Sequence, residues 1–117
     1  MVDILPHVAE LLRPLGFQIE QSYRDTSVTF PLCVLSCPSN TAEVADCKEM
    51  FSHITVQIDV YTLDKDDTMS AAKQVDTVMI AGGFRRSVAQ PFTEGELERY
   101  MLQFNCGVDS SGTKIII

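Results

Sequence analysis

Hydrophobic and polar positions change their period along the chain, and the changes mark its elements. Ile4, Leu5, Val8, Leu11, Leu12 and Leu15 share one face at helical spacing, which predicts an amphipathic helix. Asp3 is placed to cap its start, and Pro6 lies in the first turn, where a missing N–H costs little. Gly16 follows as the stop signal, and Pro14 makes the last turn irregular. Over residues 17–23 the period shortens to two. Phe17, Ile19 and Tyr23 stand against Gln18, Glu20 and Ser22, as in a half-buried strand. A second strand is predicted over residues 28–35, with Val28, Phe30, Leu32 and Val34 on one face. Pro31 removes one ladder donor, so that strand is expected at an edge or across a bulge.

Residues 36–49 lose any period. Pro38, Ser39, Asn40 and Thr41 suggest a surface loop with room for one helical turn, and a loop of that length is often functional. Alternation returns most clearly over residues 53–62. Ile54, Val56, Ile58 and Val60 face one way; Thr55, Gln57, Asp59 and Tyr61 face the other. A turn over 63–66 leads to a second helix at 68–81. Asp66 or Asp67 is its expected cap, Ala71, Ala72, Val75, Val78 and Met79 form its buried stripe, and Gly82-Gly83 ends it. A short strand over 84–89, a turn region at 91–95 and a long strand over 98–108 follow. In that last strand Tyr100, Leu102, Phe104, Cys106 and Val108 alternate with Arg99, Met101, Gln103 and Asn105. After a turn at 109–112, Ile115, Ile116 and Ile117 form a short apolar strand. Helices and strands are mixed, and hairpin-sized connections join several strands. The expected architecture is an α+β fold: a mainly antiparallel sheet with two α-helices packed on one face, in one domain over residues 1–117.

Composition adds exclusions. At 117 residues, with 45% hydrophobic and 21% charged positions, the chain is ordinary globular material that can fold without disulfides or metal. No stretch approaches the ~20 apolar residues of a membrane span. The opening Met1-Val2-Asp3-Ile4 lacks a basic region, so no signal peptide is expected and a cytosolic origin is the default. A net charge of −7 disfavours a broad nucleic-acid face and an anionic membrane surface.

The chemistry-bearing residues are few. His7 and His53 are the only histidines, and neither lies beside a nucleophile in a known motif. Cys33, Cys37, Cys47 and His53 are the one candidate zinc set, but no C-x-x-C pair exists and burial of the thiols explains them better. Gly82-Gly83-Phe84-Arg85-Arg86 could suggest a phosphate cradle. The glycines follow a helix, at the negative end of its dipole, so a C-cap is the better account. Arg85 and Arg86 are then surface charges or partners for acids on a neighbouring subunit. Asp64, Lys65, Asp66 and Asp67 lack the spacing of a calcium loop and suit helix capping. No catalytic residue, metal site or cofactor is expected.

Residues 54–104 carry a resemblance. The strand Ile54-Thr-Val-Gln-Ile-Asp-Val-Tyr61 is followed by an acidic turn and a helix with Ala71, Ala72 and Val75. Gly83-Phe84-Arg85-Arg86 and then Glu98-Arg99-Tyr100-Met101-Leu102-Gln103-Phe104 complete the string. This resembles the tail-completion or tail-terminator family of long-tailed bacteriophages, whose members share a Q-x-D-V-[YW] strand and a helix ending in Gly-Phe-Arg. The Phe30-Pro31-Leu32-Cys33-Val34 segment fits as well. The chain departs from the commoner form in carrying Tyr61 where Trp is frequent, and in the cysteine-bearing stretch 36–50.

The resemblance implies a virion structural protein, assembled in the host cytoplasm, that forms a homo-oligomeric ring, usually a hexamer. The ring would cap the head-proximal end of the tail tube and join it to the head-closure or connector protein. DNA would pass through its lumen without specific binding, and the acidic balance suits that passage. Three regions are expected to make contacts. The first is the 36–50 stretch with Asn40, Thr41 and Glu43; the second is the polar strand face with Gln57, Asp59 and Tyr61. The third is Ile115, Ile116 and Ile117, which can add as a strand to a neighbour's sheet or close the chain's own. The competing classes are a head-closure or neck protein, a small thiol-dependent enzyme using Cys33 or Cys37, and a non-catalytic adaptor that binds peptides at a sheet edge.

Overall fold

The computed structural model describes residues 4–21, 28–45 and 48–109. Its elements run α1 (Leu5–Leu12), β1 (Gln18–Glu20), β2 (Leu32–Ala45), β3 (Lys48–Thr62), α2 (Lys65–Ala81), β4 (Arg85–Glu94) and β5 (Leu97–Asp109). The strands form one five-stranded sheet in the order β1-β2-β3-β5-β4. All pairings are antiparallel except that of β1, which runs parallel to the start of β2. Both helices pack on one face of the sheet, so the fold is the expected α+β arrangement.

Helix α1 is shorter than its periodicity suggests. It stops at Leu12, and Arg13–Leu15 form a single 3-10 turn. Pro14 is the cause, since its ring and missing N–H cannot continue an α-helix. Gly16 then takes a left-handed conformation, φ 76°, and its N–H bonds the Arg13 carbonyl at 3.1 Å. The expected cap Asp3 lies outside the described residues, and Ile4 holds the N-cap position without a side-chain bond. Helix α2 begins three residues earlier than expected because its cap is Asp64, not Asp66 or Asp67. Asp64 Oδ1 accepts from the Asp66 and Asp67 N–H groups at 2.7 and 3.3 Å. Those two acids sit in the first turn, where the helix dipole favours them. Below the cap, the buried hydroxyls of Thr62 and Thr68 touch, and Thr68 Oγ1 donates to the Asp64 carbonyl at 2.7 Å. That cluster ties the end of β3 to the start of α2.

The core lies between helices and sheet. Ile54, Val56, Ile58 and Val60 of β3 and Leu102, Phe104 and Cys106 of β5 meet Val8, Leu12, Val75 and Met79 from the helices. Each such side chain contributes about 1.5–3 kcal/mol relative to exposure. In β2 the helix-facing residues are Cys33 and Leu35, not the set Val28, Phe30, Leu32 and Val34 expected from the sequence. Pro31 precedes the strand instead of interrupting it, and Leu32 to Leu35 is an unbroken apolar run that does not name its own inward face. Register decides: Cys33 pairs with the helix-facing Val60, while Leu32 pairs with Tyr61 and is buried on the opposite face.

Two further expectations are corrected. Residues 36–45, 48 and 49 are not a loop; with 50–52 they form the distal half of the β2–β3 hairpin. Register shifts between Ser36 and Ser39, and between Glu43 and Val44, break the alternation that would have announced a strand. Residues 91–94 are not a turn but the continuation of β4. Pro91 is tolerated there because β4 is an edge strand, where one missing donor costs no ladder bond. The β4–β5 turn shrinks to Gly95 and Glu96, with Gly95 at φ 63°. Among the described residues no helix is long and apolar enough to cross a membrane.

Candidate functional site

The sheet face away from the helices carries an ordered row of polar side chains. Alternation on β3 sends Thr55, Gln57, Asp59 and Tyr61 to this side, and the antiparallel register sets Asn105, Gln103, Met101 and Arg99 of β5 opposite them. Thr55 Oγ1 donates to Asn105 Oδ1 at 2.8 Å. Gln103 Nε2 donates to Gln57 Oε1 at 3.0 Å, and Gln57 Nε2 donates in turn to Asp59 Oδ2 at 2.9 Å. The amides thus link two strands into one chain of bonds that ends on a carboxylate.

Arg99 closes the row. Its guanidinium lies 3.7 Å from Asp59 Oδ1 and 3.2 Å from Glu94 Oε1, and sits over the Phe92 ring at 4.6 Å from the centroid. Asp59 is only 7% exposed and Tyr61 8%, although no helix among the described residues covers this side. Burial pushes the Tyr61 hydroxyl above its usual pKa; a hydrogen bond with Arg99 opposes the rise, and the charges of Asp59 and Glu94 add to it. Gln57, Asp59 and Tyr61, singled out from sequence, are therefore brought together as expected. Their partners Arg99, Gln103 and Asn105 fall on the polar side of β5 by alternation, but only the register brings them alongside β3.

The other anticipated contact residues are placed apart. Asn40, Thr41 and Glu43 occupy the distal half of β2, paired with Ile54, His53 and Phe51. They lie on the same hairpin as the polar row but beyond it along the strand. Arg85 and Arg86 open β4 on the far edge. Arg86 bonds Asp76 of α2 at 2.9 Å, so its acidic partner lies within its own chain. Ile115, Ile116 and Ile117 lie outside the described residues, as does Cys47.

The geometry argues against a nucleophilic thiolate at Cys33 and against a zinc ion shared by Cys33 and His53. Burial pushes the Cys33 thiol up to about 12 and the Cys106 thiol up to about 11, opposite to the shift a nucleophilic thiolate needs. Cys33 pairs with Val60, seven residues along β3 from His53, a separation of ~23 Å. Those two residues cannot share one metal ion. Among the described residues no group of three or more His, Cys, Asp or Glu side chains converges on a metal position. The chain matches no known family model and no curated protein.

Proposed function

We propose that this chain is a structural subunit of a ring that terminates the tail tube of a long-tailed bacteriophage, capping its head-proximal end and joining it to the head connector. One observation carries the reading: a sheet covered by helices on one side presents, on its other side, a hydrogen-bonded polar row. Side chains that bond one another leave few groups unpaired when a neighbouring protein covers them, and Asp59 Oδ1 and Arg99 Nε, which hold only ion-pair contacts, are already buried. The β2–β3 hairpin supports the same reading, since its distal half continues past the core residues and gives reach toward a second protein.

In this reading the subunit acts by assembly and no step is catalysed. A ring uses heterologous contacts, in which one surface of a subunit meets a different surface of the next. The partners are further copies of the chain, six for a hexamer, the tail-tube protein and the head-closure protein. DNA crosses the lumen without specific binding, and the acidic balance keeps phosphate from adhering.

The test is negative-stain imaging of the purified protein, alone and mixed with tail tubes from the same source. Rings, or caps on one end of length-limited tubes, are the expected result. A protein that never caps or binds tubes overturns the proposal. A protein that forms rings but binds connectors and not tubes transfers the role to head closure.

A further inference from the structure

The two edges of the sheet are finished differently. On one side β4 is the outer strand, and its ten residues include Arg85, Arg86, Pro91 and Glu94. Charges and a proline of that kind keep an exposed edge from pairing with another chain. On the other side β1 pairs only with Leu32, Cys33 and Val34 of β2. From Leu35 to Ala45, no strand among the described residues pairs with the outer side of β2. The open edge takes in eleven of the fourteen residues of β2, all but the three that β1 covers, and is ~36 Å long. Its sequence holds Pro38 and Glu43 but no Lys or Arg.

A cavity opens where β1 stops. The helix-facing side chains at the start of β2 are Cys33, Leu35 and Cys37, and Ile19 of β1 lies beside Cys33 on that face. The next inward position, beside Leu35, would fall to Gln21, but β1 ends at Glu20 and Gln21 is exposed. A cavity of about 390 Å³ remains there, lined by Leu5, Pro6 and Ala9 of α1, by Ile19 and by Leu35. Leu5 and Ala9 stay only half-buried as a result. A strand laid along this edge would meet both features. Its backbone would bond the free N–H and C=O groups of β2, and every second side chain would enter the cavity.

We propose that the open edge of β2 at Leu35 receives Ile115, Ile116 and Ile117 of a second copy of this chain as an added strand, with isoleucine side chains in the cavity beside α1. Ile115 and Ile117, two residues apart, face the same side of a strand, and β-branched side chains suit that setting. Chain length selects a second copy over the chain's own segment. Leu35 stands level with Ile58 and Leu102, and Asp109 lies seven residues beyond Leu102 on β5. A strand outside β2 is three strand spacings from β5, so the cavity is ~27 Å from Asp109 on a line that crosses β3 and β2. Ile115 is six residues past Asp109, ~21 Å when fully extended, and Ile117 reaches ~28 Å only without a detour around those strands. The chain's own isoleucines therefore cannot lie along this part of its edge, and a neighbour's can. The contact is heterologous, strand to edge, which is the kind that closes into rings. For its biological setting the inference rests on the ring reading above; the contact itself is tested separately.

The experiment is sedimentation velocity of the full chain over a wide concentration range, with amide hydrogen exchange followed by mass spectrometry on the same samples. It compares the wild type with Ile115→Asp/Ile117→Asp, which spoils the strand, and with Ala9→Trp, which fills the cavity. The wild type associates, and exchange at residues 35–39 slows as concentration rises. The double variant lowers the association constant about tenfold or more for each isoleucine and loses that protection. Ala9→Trp lowers it about tenfold or more. An equal mixture of the two variants forms dimers and nothing larger, because it contains one intact strand and one intact edge. If Ala9→Trp lowers the melting temperature, exchange at 35–39 in the wild type and the double variant decides alone. A wild type that stays monomeric throughout overturns the proposal, and so does a double variant that associates like the wild type. Association that leaves exchange at 35–39 unchanged overturns it as well. A double variant that is monomeric like the wild type but melts lower assigns the isoleucines to the chain's own sheet and overturns it. Tube capping, imaged in parallel, separates the two readings: capping without this contact sinks the contact alone, and this contact without capping sinks the terminator reading alone.

Discussion

Replacing Asp59 by alanine probes the polar row at its most buried point. Asp59 Oδ2 accepts from Gln57 Nε2 at 2.9 Å, and Oδ1 faces Arg99 at 3.7 Å. Loss of a hydrogen bond to a charged acceptor costs about 1.5–3 kcal/mol. Stripping a counter-charge from a fully buried cation would add about 3–5 kcal/mol. Arg99 keeps 22% side-chain exposure, a second carboxylate at 3.2 Å and an aromatic face, so solvent and these partners reduce that part to roughly 1 kcal/mol. The expected total is about 3 kcal/mol, a fall in melting temperature of about 10 °C for a domain of this size. The assay is urea unfolding followed by far-UV circular dichroism at neutral pH, on Asp59→Ala, Asp59→Asn, Arg99→Ala and the Asp59→Ala/Arg99→Ala double variant. Asparagine can still accept from Gln57 and is expected to lose about half as much. The Asp59–Arg99 cycle is expected to show a coupling of about 1 kcal/mol. A loss below about 0.5 kcal/mol for Asp59→Ala, together with zero coupling, refutes the account of a bonded and partly desolvated row.

Three further outcomes follow from the same structure. Phe104→Ala empties a fully buried site between β5 and the helices and lowers unfolding stability by about 3–5 kcal/mol, measured by urea titration. Asp64→Ala removes the side-chain cap of α2 and costs about 1 kcal/mol, seen as a drop of about 4 °C in melting temperature. Cys33 and Cys106 hold their protons more tightly when folded, at about 12 and 11 against an ordinary value of 9.0. Their contribution is fully present below pH 9.0 and is lost as pH rises toward 11, with a slope of about 1.4 kcal/mol per pH unit for each thiol. Urea unfolding of the wild type and of Cys33→Ala between these limits checks this, and the variant loses half of the thiol-dependent slope.

Local order along the chain was legible wherever one face is apolar and the other polar. The period of two in β3 assigned Ile54, Val56, Ile58 and Val60 to the core and Gln57, Asp59 and Tyr61 to the other face before any strand had a neighbour. The helical period located both helices, and Pro14 and Gly16 marked where the first would falter. Pattern failed where it was absent or broken. The run Leu32 to Leu35 is apolar at every position, so its inward face was set by pairing with β3. The distal half of β2 hid behind two register shifts, and Pro91 looked like a turn because the sequence does not say which strand will be an edge.

The candidate site divides along the same line. Its β3 half was readable because side-chain direction along a strand is a local property, repeated every second residue. Its β5 half was readable only as a polar face without a partner. That Gln103 meets Gln57 and that Arg99 meets Asp59 depends on register between segments about 40 residues apart in sequence, which local period does not encode. The exposure of Arg86, Ala89 and Pro91 on the helix side of β4 was invisible for a stronger reason. They are uncovered because α2 lies mainly over β3 and β5 and no further helix among the described residues reaches the β4 edge. The sequence by itself determined the elements, the apolar faces and an overall negative charge. Tertiary structure alone decided which strand lies at the edge and what the helices leave uncovered, because each of these depends on packing between segments distant in the chain.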